Sequence, residues 1–225
     1  MTRTPVLVLH GLGRRAASMA PMARALERAG FAPTLLPYPS TRHTVDELLD
    51  RIVGPAVDAA LAGGAPVHFV THSLGGVLVR AEAARRHDAG EALPDGSRAV
   101  FLAPPFAGSE AADRLREFRA VRAVLGPVLH ELGTDDASVP RTLGPVRGLE
   151  AGVIAGTRRL VPFDRMFAGA NDGLVSVDSA TSEAGLADTL VLPATHALVM
   201  RHPVVVRQTV RFLVRGRFDG PAARR

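Results

Sequence analysis

Short apolar runs alternate along this chain with longer stretches whose apolar positions recur every three to four residues, so strands and helices take turns. The runs predict strands at Val6–His10, Thr34–Pro37, Val67–Thr71, Ala99–Leu102, Gly152–Ala155 and Thr189–Leu192. Strands separated by helices in this way pair in parallel, which predicts an α/β fold with about six parallel strands and helices on both faces. Ser18 is placed to cap a helix with Met19, Met22, Ala23 and Leu26 on one face, and Gly30 ends it. Thr44 and Glu47 have capping-box spacing ahead of Val45, Leu48, Leu49 and Ile52, and Gly54-Pro55 should kink or break that helix. Helices also read at Leu74–Arg86 and at Val204–Val214, the last opened by Pro203. The longest departure from alternation is 104–148, a candidate lid. Within it Ser109–Leu125 can form one amphipathic helix, with Ala111, Leu115, Phe118 and Leu125 on one face and Arg114, Arg116, Arg119 and Arg122 elsewhere. A stripe of this kind reads first as ordinary packing on the sheet. These readings make 1–215 a single domain, with 216–225 a flexible tail ending in Gly, Pro and Arg.

Composition narrows the classes. With 225 residues, 47% of them hydrophobic, the chain suits one domain with a sizeable core. It has no cysteine, which excludes disulfides and thiolate metal sites. Only Val6–Leu9 precede His10 as an apolar run, too few for a signal-peptide core, so a cytoplasmic location without a transmembrane segment is expected. The net charge is +5 and the isoelectric point about 11.1, yet all 27 basic residues are arginine, scattered among acids without aromatic platforms. That pattern points to the coding bias of a GC-rich bacterial genome, and no nucleic-acid partner is expected.

The chemistry concentrates in Val67–Val79. A buried strand, a sharp turn and a helix follow one another there, with Ser73 at the apex and Gly75 and Gly76 removing side chains that would hold the helix off the strand. A serine so placed is a nucleophile candidate, but its hydroxyl needs a base to take its proton and an acid to orient that base. His196 is the best base, because it follows the last strand, where loops of a parallel sheet gather at the carboxyl edge. His72 adjoins Ser73 but points to the opposite face and reads as a packing or hydrogen-bonding residue. His202 reads as the start of the last helix, and His43, His87 and His130 as exposed residues without partners. Asp164, Asp172 and Asp178 all lie between the fifth strand and His196. Asp172 is preferred because Asn171 and Gly173 make a turn around it, with Asp164 in reserve. The backbone N–H of Leu74, at the start of the helix after Ser73, can donate to an oxyanion. His68 and His72 have the four-residue spacing of zinc ligands on a helix but fall on a strand without a third ligand, so no metal and no cofactor are expected.

Ser73, Asp172 and His196 in that order, with His10-Gly11-Leu12-Gly13 ahead of them, resemble the α/β-hydrolases of the small bacterial lipase and esterase type. The resemblance extends over nearly the whole chain and includes Tyr38-Pro39-Ser40 and the stretch from Gly169 to Ala180. It departs at Thr71, where the family's Gly-x-Ser-x-Gly motif has its first glycine. The resemblance implies a minimal α/β-hydrolase fold lacking the two antiparallel strands that open larger members. It also implies a catalytic triad of Ser73, Asp172 and His196 and an oxyanion hole made by the amides of Leu12 and Leu74. The expected activity is hydrolysis of small-molecule carboxylic esters through an acyl-enzyme. The same triad would serve a thioesterase or acyltransferase, and the fold would also serve a non-catalytic binding protein. Arg14 and Arg15 follow the oxyanion turn as a potential attraction for anionic substrates, although paired arginines at a helix start read first as solvated. Tyr38 is expected to line the site, and an aliphatic acyl chain suits a chain with few aromatic residues.

Overall fold

A computed structural model describes residues 3–159, 167 and 169–220 of the chain and places six strands in one sheet. They are β1 (Pro5–Leu9), β2 (Ala32–Leu36), β3 (His68–His72), β4 (Arg98–Leu102), β5 (Glu150–Gly156) and β6 (Asp188–Leu192). Their spatial order is β2-β1-β3-β4-β5-β6 and every pairing is parallel. All six expected strands are present within a few residues of their sequence bounds.

Strand geometry explains how one sheet supports two cores. Successive side chains point to opposite faces, so Leu7, Leu9, Phe69, Phe101 and Val153 enter one apolar cluster, while Val6, Val8, Val70, Val100, Leu102 and Ile154 enter the other. The second cluster is closed by α1 (Ala20–Arg28) and α10 (Pro203–Arg215), which contribute Met22, Leu26, Val205 and Phe212. The first is closed by α2 (Val45–Leu48), α3 (Gly54–Leu61) and α4 (Leu74–Asp88), with Leu48, Val57, Val77 and Leu78 buried.

Two helix boundaries differ from the sequence reading. Ser18 does not cap α1. Ala16–Met19 form a 3₁₀ turn that leads directly into the helix, and the Ser18 hydroxyl is buried without a partner among the described residues. The Thr44–Glu47 capping box forms as expected, but Gly54-Pro55 does not break the helical run that it opens. A π-helical turn over Leu49–Val53 joins α2 to α3, and Pro55 sits in the first turn of α3 directly after it.

Segment 104–148 carries four short helices: α5 (Glu110–Leu115), α6 (Arg119–Leu125), α7 (Val128–Glu131) and α8 (Val139–Thr142). The single helix expected over Ser109–Leu125 is therefore two. The chain breaks between α5 and α6, and Phe118, expected on the packed stripe, is half exposed at the N-terminus of α6. The reason lies beyond the local pattern: Ala111 and Ala112 are buried near Val128, Leu129 and Leu132, and a straight helix could not bring α7 back onto α5.

The tail expected at 216–225 makes contacts with the domain where it is described. Phe218 is buried against Phe212, with ring centroids 4.9 Å apart, and its N–H donates to Asp188. Asp219 pairs with Arg211 and accepts and donates hydrogen bonds with Gln208. Phe218 thus adds to the outer core, and 221–225 lie outside the described residues. No helix among the described residues is long and apolar enough to cross a membrane.

Candidate active site

The strand order reverses between β1 and β3: chain leaving β1 goes outward to β2, whereas chain leaving β3 goes the other way to β4. At such a switch point the loops after the two strands diverge and leave a crevice at their carboxyl ends. Ser73 follows β3 at that edge, and His10-Gly11-Leu12-Gly13 follow β1.

Ser73 has φ 52° and ψ −118°, outside the ordinary regions for a residue with a side chain. Such a conformation costs about 1–3 kcal/mol and persists only where surroundings enforce it. Here the Ser73 N–H donates to Leu102 O at 2.9 Å, and Gly76 N–H returns to Ser73 O at 2.8 Å, which ties the turn to β4 and to the start of α4. The turn also needs its glycines. A Cβ at position 75 would stand 2.9 Å from both His10 O and Leu9 Cβ, and one on Gly11 would stand 2.7 Å from His72 Nδ1 and 3.2 Å from Ser73 Cβ. Thr71, which stands where the resembled motif has its first glycine, is fully buried, its hydroxyl without a partner among the described residues.

Asp172 and His196 come together from loops at the ends of β5 and β6. His196 Nδ1 lies 2.8 Å from Asp172 Oδ2, both side chains being buried. A carboxylate only accepts, so Nδ1 carries the proton and Nε2 is left as the basic nitrogen. The other carboxylate oxygen accepts from the N–H of Leu174 (3.0 Å) and Val175 (2.8 Å), and the backbones are joined as well, His196 N–H to Asp172 O at 3.1 Å. Asn171 braces this turn through Gly173 N–H and Gly169 O. Of the competing acids, Asp178 is exposed in the first turn of α9 (Val177–Ala180), and Asp164 lies outside the described residues.

Ser73 and His196 line one cavity of about 430 Å³, without a hydrogen bond between them among the described residues. Leu12, Gly13 and Arg14 form one wall, and Ala112, Leu115, Leu125, Leu129 and Leu132 of the 104–148 segment form an apolar roof. The N–H groups of Leu12 and Leu74 donate to no partner among the described residues. Leu74 is fully buried, its side chain in the core cluster that α2, α3 and α4 close.

The loop after β1 is held by residues whose part was not legible in the sequence. Ser40 Oγ accepts from Gly13 N–H at 3.1 Å. Tyr38, expected to line the site, instead stacks on His10 with centroids 4.0 Å apart and donates its hydroxyl to His10 O, away from the cavity that Ser73 and His196 line. Arg14 lines the cavity and donates from Nη2 to Ala197 O at 2.7 Å, whereas Arg15 lies outside the cavity lining. Along the chain, Tyr38-Pro39-Ser40 stood out only as part of the resemblance, and Arg14 only by its place after the His10–Gly13 turn.

The other histidines take other places. His72 Nε2 lies 3.0 Å from His196 O and must donate to it, and burial, reinforced by the charges of His196 and Arg14, holds its pKa well below the ordinary value. It is a neutral strut between the serine turn and the His196 loop. His68 Nδ1 accepts from Arg98 N–H, and His202 is the N-cap position of α10. His43, expected to be without a partner, pairs with Glu47 at 3.2 Å, and His87 contacts Arg147.

No protein-family model and no curated protein matches the sequence. Solved structures do match in fold. The mature lipase BlEst2 of Bacillus licheniformis superposes with a TM-score of 0.72 at 17% identity, over 94% of this chain and 92% of that one. Phospholipase PlaB of Legionella pneumophila gives 0.68 at 19% identity over 95% and 60% of the two chains. The metagenomic carboxyl esterase MGS0156 gives 0.67 at 22% identity over 87% and 65%. The chain therefore has the α/β-hydrolase fold found in bacterial lipases and esterases, in a form with six parallel strands.

Proposed function

We propose that this protein is a serine-dependent carboxylic-ester hydrolase in which Ser73, His196 and Asp172 act as nucleophile, base and orienting acid. The observation that carries the reading is the buried Nδ1–Oδ2 contact of 2.8 Å between His196 and Asp172, on the cavity that also holds the strained Ser73 turn. In this scheme Nε2 of His196 takes the Ser73 proton as Oγ attacks the acyl carbon. The carbonyl oxygen becomes an oxyanion, met by the N–H groups of Leu12 and Leu74, each worth roughly 10²–10³ in rate. Collapse of the intermediate breaks the acyl–oxygen bond, and His196 gives its proton to the departing alcohol. Water repeats the sequence on the acyl-enzyme, releases the acid and restores Ser73. The apolar roof suits an ester with an aliphatic acyl chain.

The test is covalent. A fluorophosphonate should inactivate the protein and leave its adduct on the peptide containing Ser73, and Ser73→Ala should abolish both labelling and hydrolysis of 4-nitrophenyl butanoate. Labelling that persists in Ser73→Ala, or an adduct on another residue, would overturn the assignment.

A further inference from the structure

One charge on the cavity wall has no part in the bond-breaking steps. Arg14 is half buried beside Ser73 and His196, and its bond to Ala197 O uses one of five guanidinium donors. No carboxylate of the described residues stands among the groups acting on it. The neighbouring charge is another cation, the exposed Arg201, which together with burial lowers the pKa of Arg14. None of the described residues lining the cavity is an aspartate or glutamate, and Asp172 is screened behind His196. A cation held in a cavity without a counter-ion attracts one from the ligand, since its donors are already partly stripped of water.

Proton transfer distinguishes the two sides of the cavity. Whatever leaves Ser73-bound substrate must lie against His196, because that ring supplies its proton. Arg14 is tethered to the residue after His196, while the apolar wall of Leu115, Leu125, Leu129 and Leu132 belongs to the 104–148 segment. We propose that Arg14 forms an anion subsite for the leaving alcohol, so that the preferred substrates are aliphatic esters whose alcohol part carries a carboxylate or phosphate. The proposal rests on the ester-hydrolase reading above.

Two esters of equal size test it: 3-(butanoyloxy)benzoate, with an anionic alcohol part, and 3-(butanoyloxy)benzamide, its neutral counterpart, with 3-(butanoyloxy)phenyl phosphate as the phosphate arm. The anionic esters should exceed the amide in kcat/KM on the order of tenfold, mainly through a lower KM, as a charge-assisted hydrogen bond implies. The larger preference of the two identifies which anion the site takes. The Arg14→Gln variant should bring both ratios toward one, and Arg14→Lys should keep part of them. The ratio divides out any general loss from releasing Ala197. Should Arg14→Gln fail to fold, high salt must shrink the wild-type preference in its place. A wild-type ratio near one, or a ratio that survives in Arg14→Gln, would overturn the subsite, leaving Arg14 only a brace for the His196 loop. A stronger preference for 4-nitrophenyl hemisuccinate over 4-nitrophenyl butanoate would overturn its assignment to the alcohol side. Failure of the hydrolase reading has a different signature: neither the anionic esters nor the amide is turned over, and the proposal falls with it.

Discussion

Asp172 holds the His196 ring through one oxygen and the surrounding loop through the other. The first faces Nδ1, the second is saturated by two backbone N–H groups, and the ring therefore has one tautomer available to it. Replacing the outer oxygen with an amide inverts that choice, because an N–H facing Nδ1 drives the proton to Nε2, where the base is needed. Asp172→Asn should therefore fold normally and lose on the order of 10⁴-fold in kcat on 4-nitrophenyl butanoate, the size of effect known for a misplaced tautomer in another triad enzyme. A variant retaining full activity would remove Asp172 from the proposed triad and turn attention to Asp164.

The elements are held in place by ties that cross between them. Arg80, on α4, is 3% exposed and ion-paired with Glu183 at 2.6 Å, while donating to the carbonyls of Phe106, Pro140, Leu143 and Gly144. One guanidinium thus clamps both ends of the 104–148 segment to the helix behind Ser73. Burial raises the pKa of Glu183 despite Arg80, so loss of the arginine would strand a carboxylate in a poor place. Arg80→Ala should cost about 3–5 kcal/mol in unfolding free energy by urea titration and open 104–148 to limited proteolysis. A stability unchanged within error would show that the clamp is replaceable. Within the same segment, Leu129 is buried and Phe118 half exposed, although the sequence pattern put Phe118 on the packed face. Leu129→Ala should cost about 2–5 kcal/mol, and Phe118→Ser should stay within about 0.5 kcal/mol of the parent. Reversed magnitudes in the same titration would mean that the Phe118 side chain packs on the core after all.

For the molecule as a whole, the buried histidines set an acid limit. Burial, with Arg98 adding, lowers His68 from 6.5 to about 4, and burial also lowers His10 and His72. A histidine with a depressed folded-state pKa is neutral in the native protein while the unfolded chain takes up protons. The contribution of His68 is complete above about pH 6.5, falls as pH drops toward 4, and falls no further below that. The urea midpoint should accordingly decline between pH 6.5 and 4, with a shallower slope in His68→Asn, whose side-chain oxygen can still accept from Arg98 N–H. A flat midpoint across that window, or an unchanged slope in the variant, would show that these histidines do not set the limit.

The six strands, the Ser73 turn and the Thr44–Glu47 cap were determined by the sequence itself, because each depends on neighbours a few residues apart: alternation, a glycine beside a turn, a hydroxyl three residues from a carboxylate. The order of serine, acid and histidine was equally legible, since it is read along the chain. What the tertiary structure alone decided is where distant segments meet. It joined Asp172 to His196 rather than leaving Asp178 to compete, turned Tyr38 away from the cavity, and brought Arg14 to Ala197 across 183 positions. It also split the expected helix at Phe118 and folded Phe218 onto Phe212. Those outcomes come from through-space packing and pairing at the carboxyl edge and outer face of the sheet, and a local pattern carries no information about which remote partner will be there.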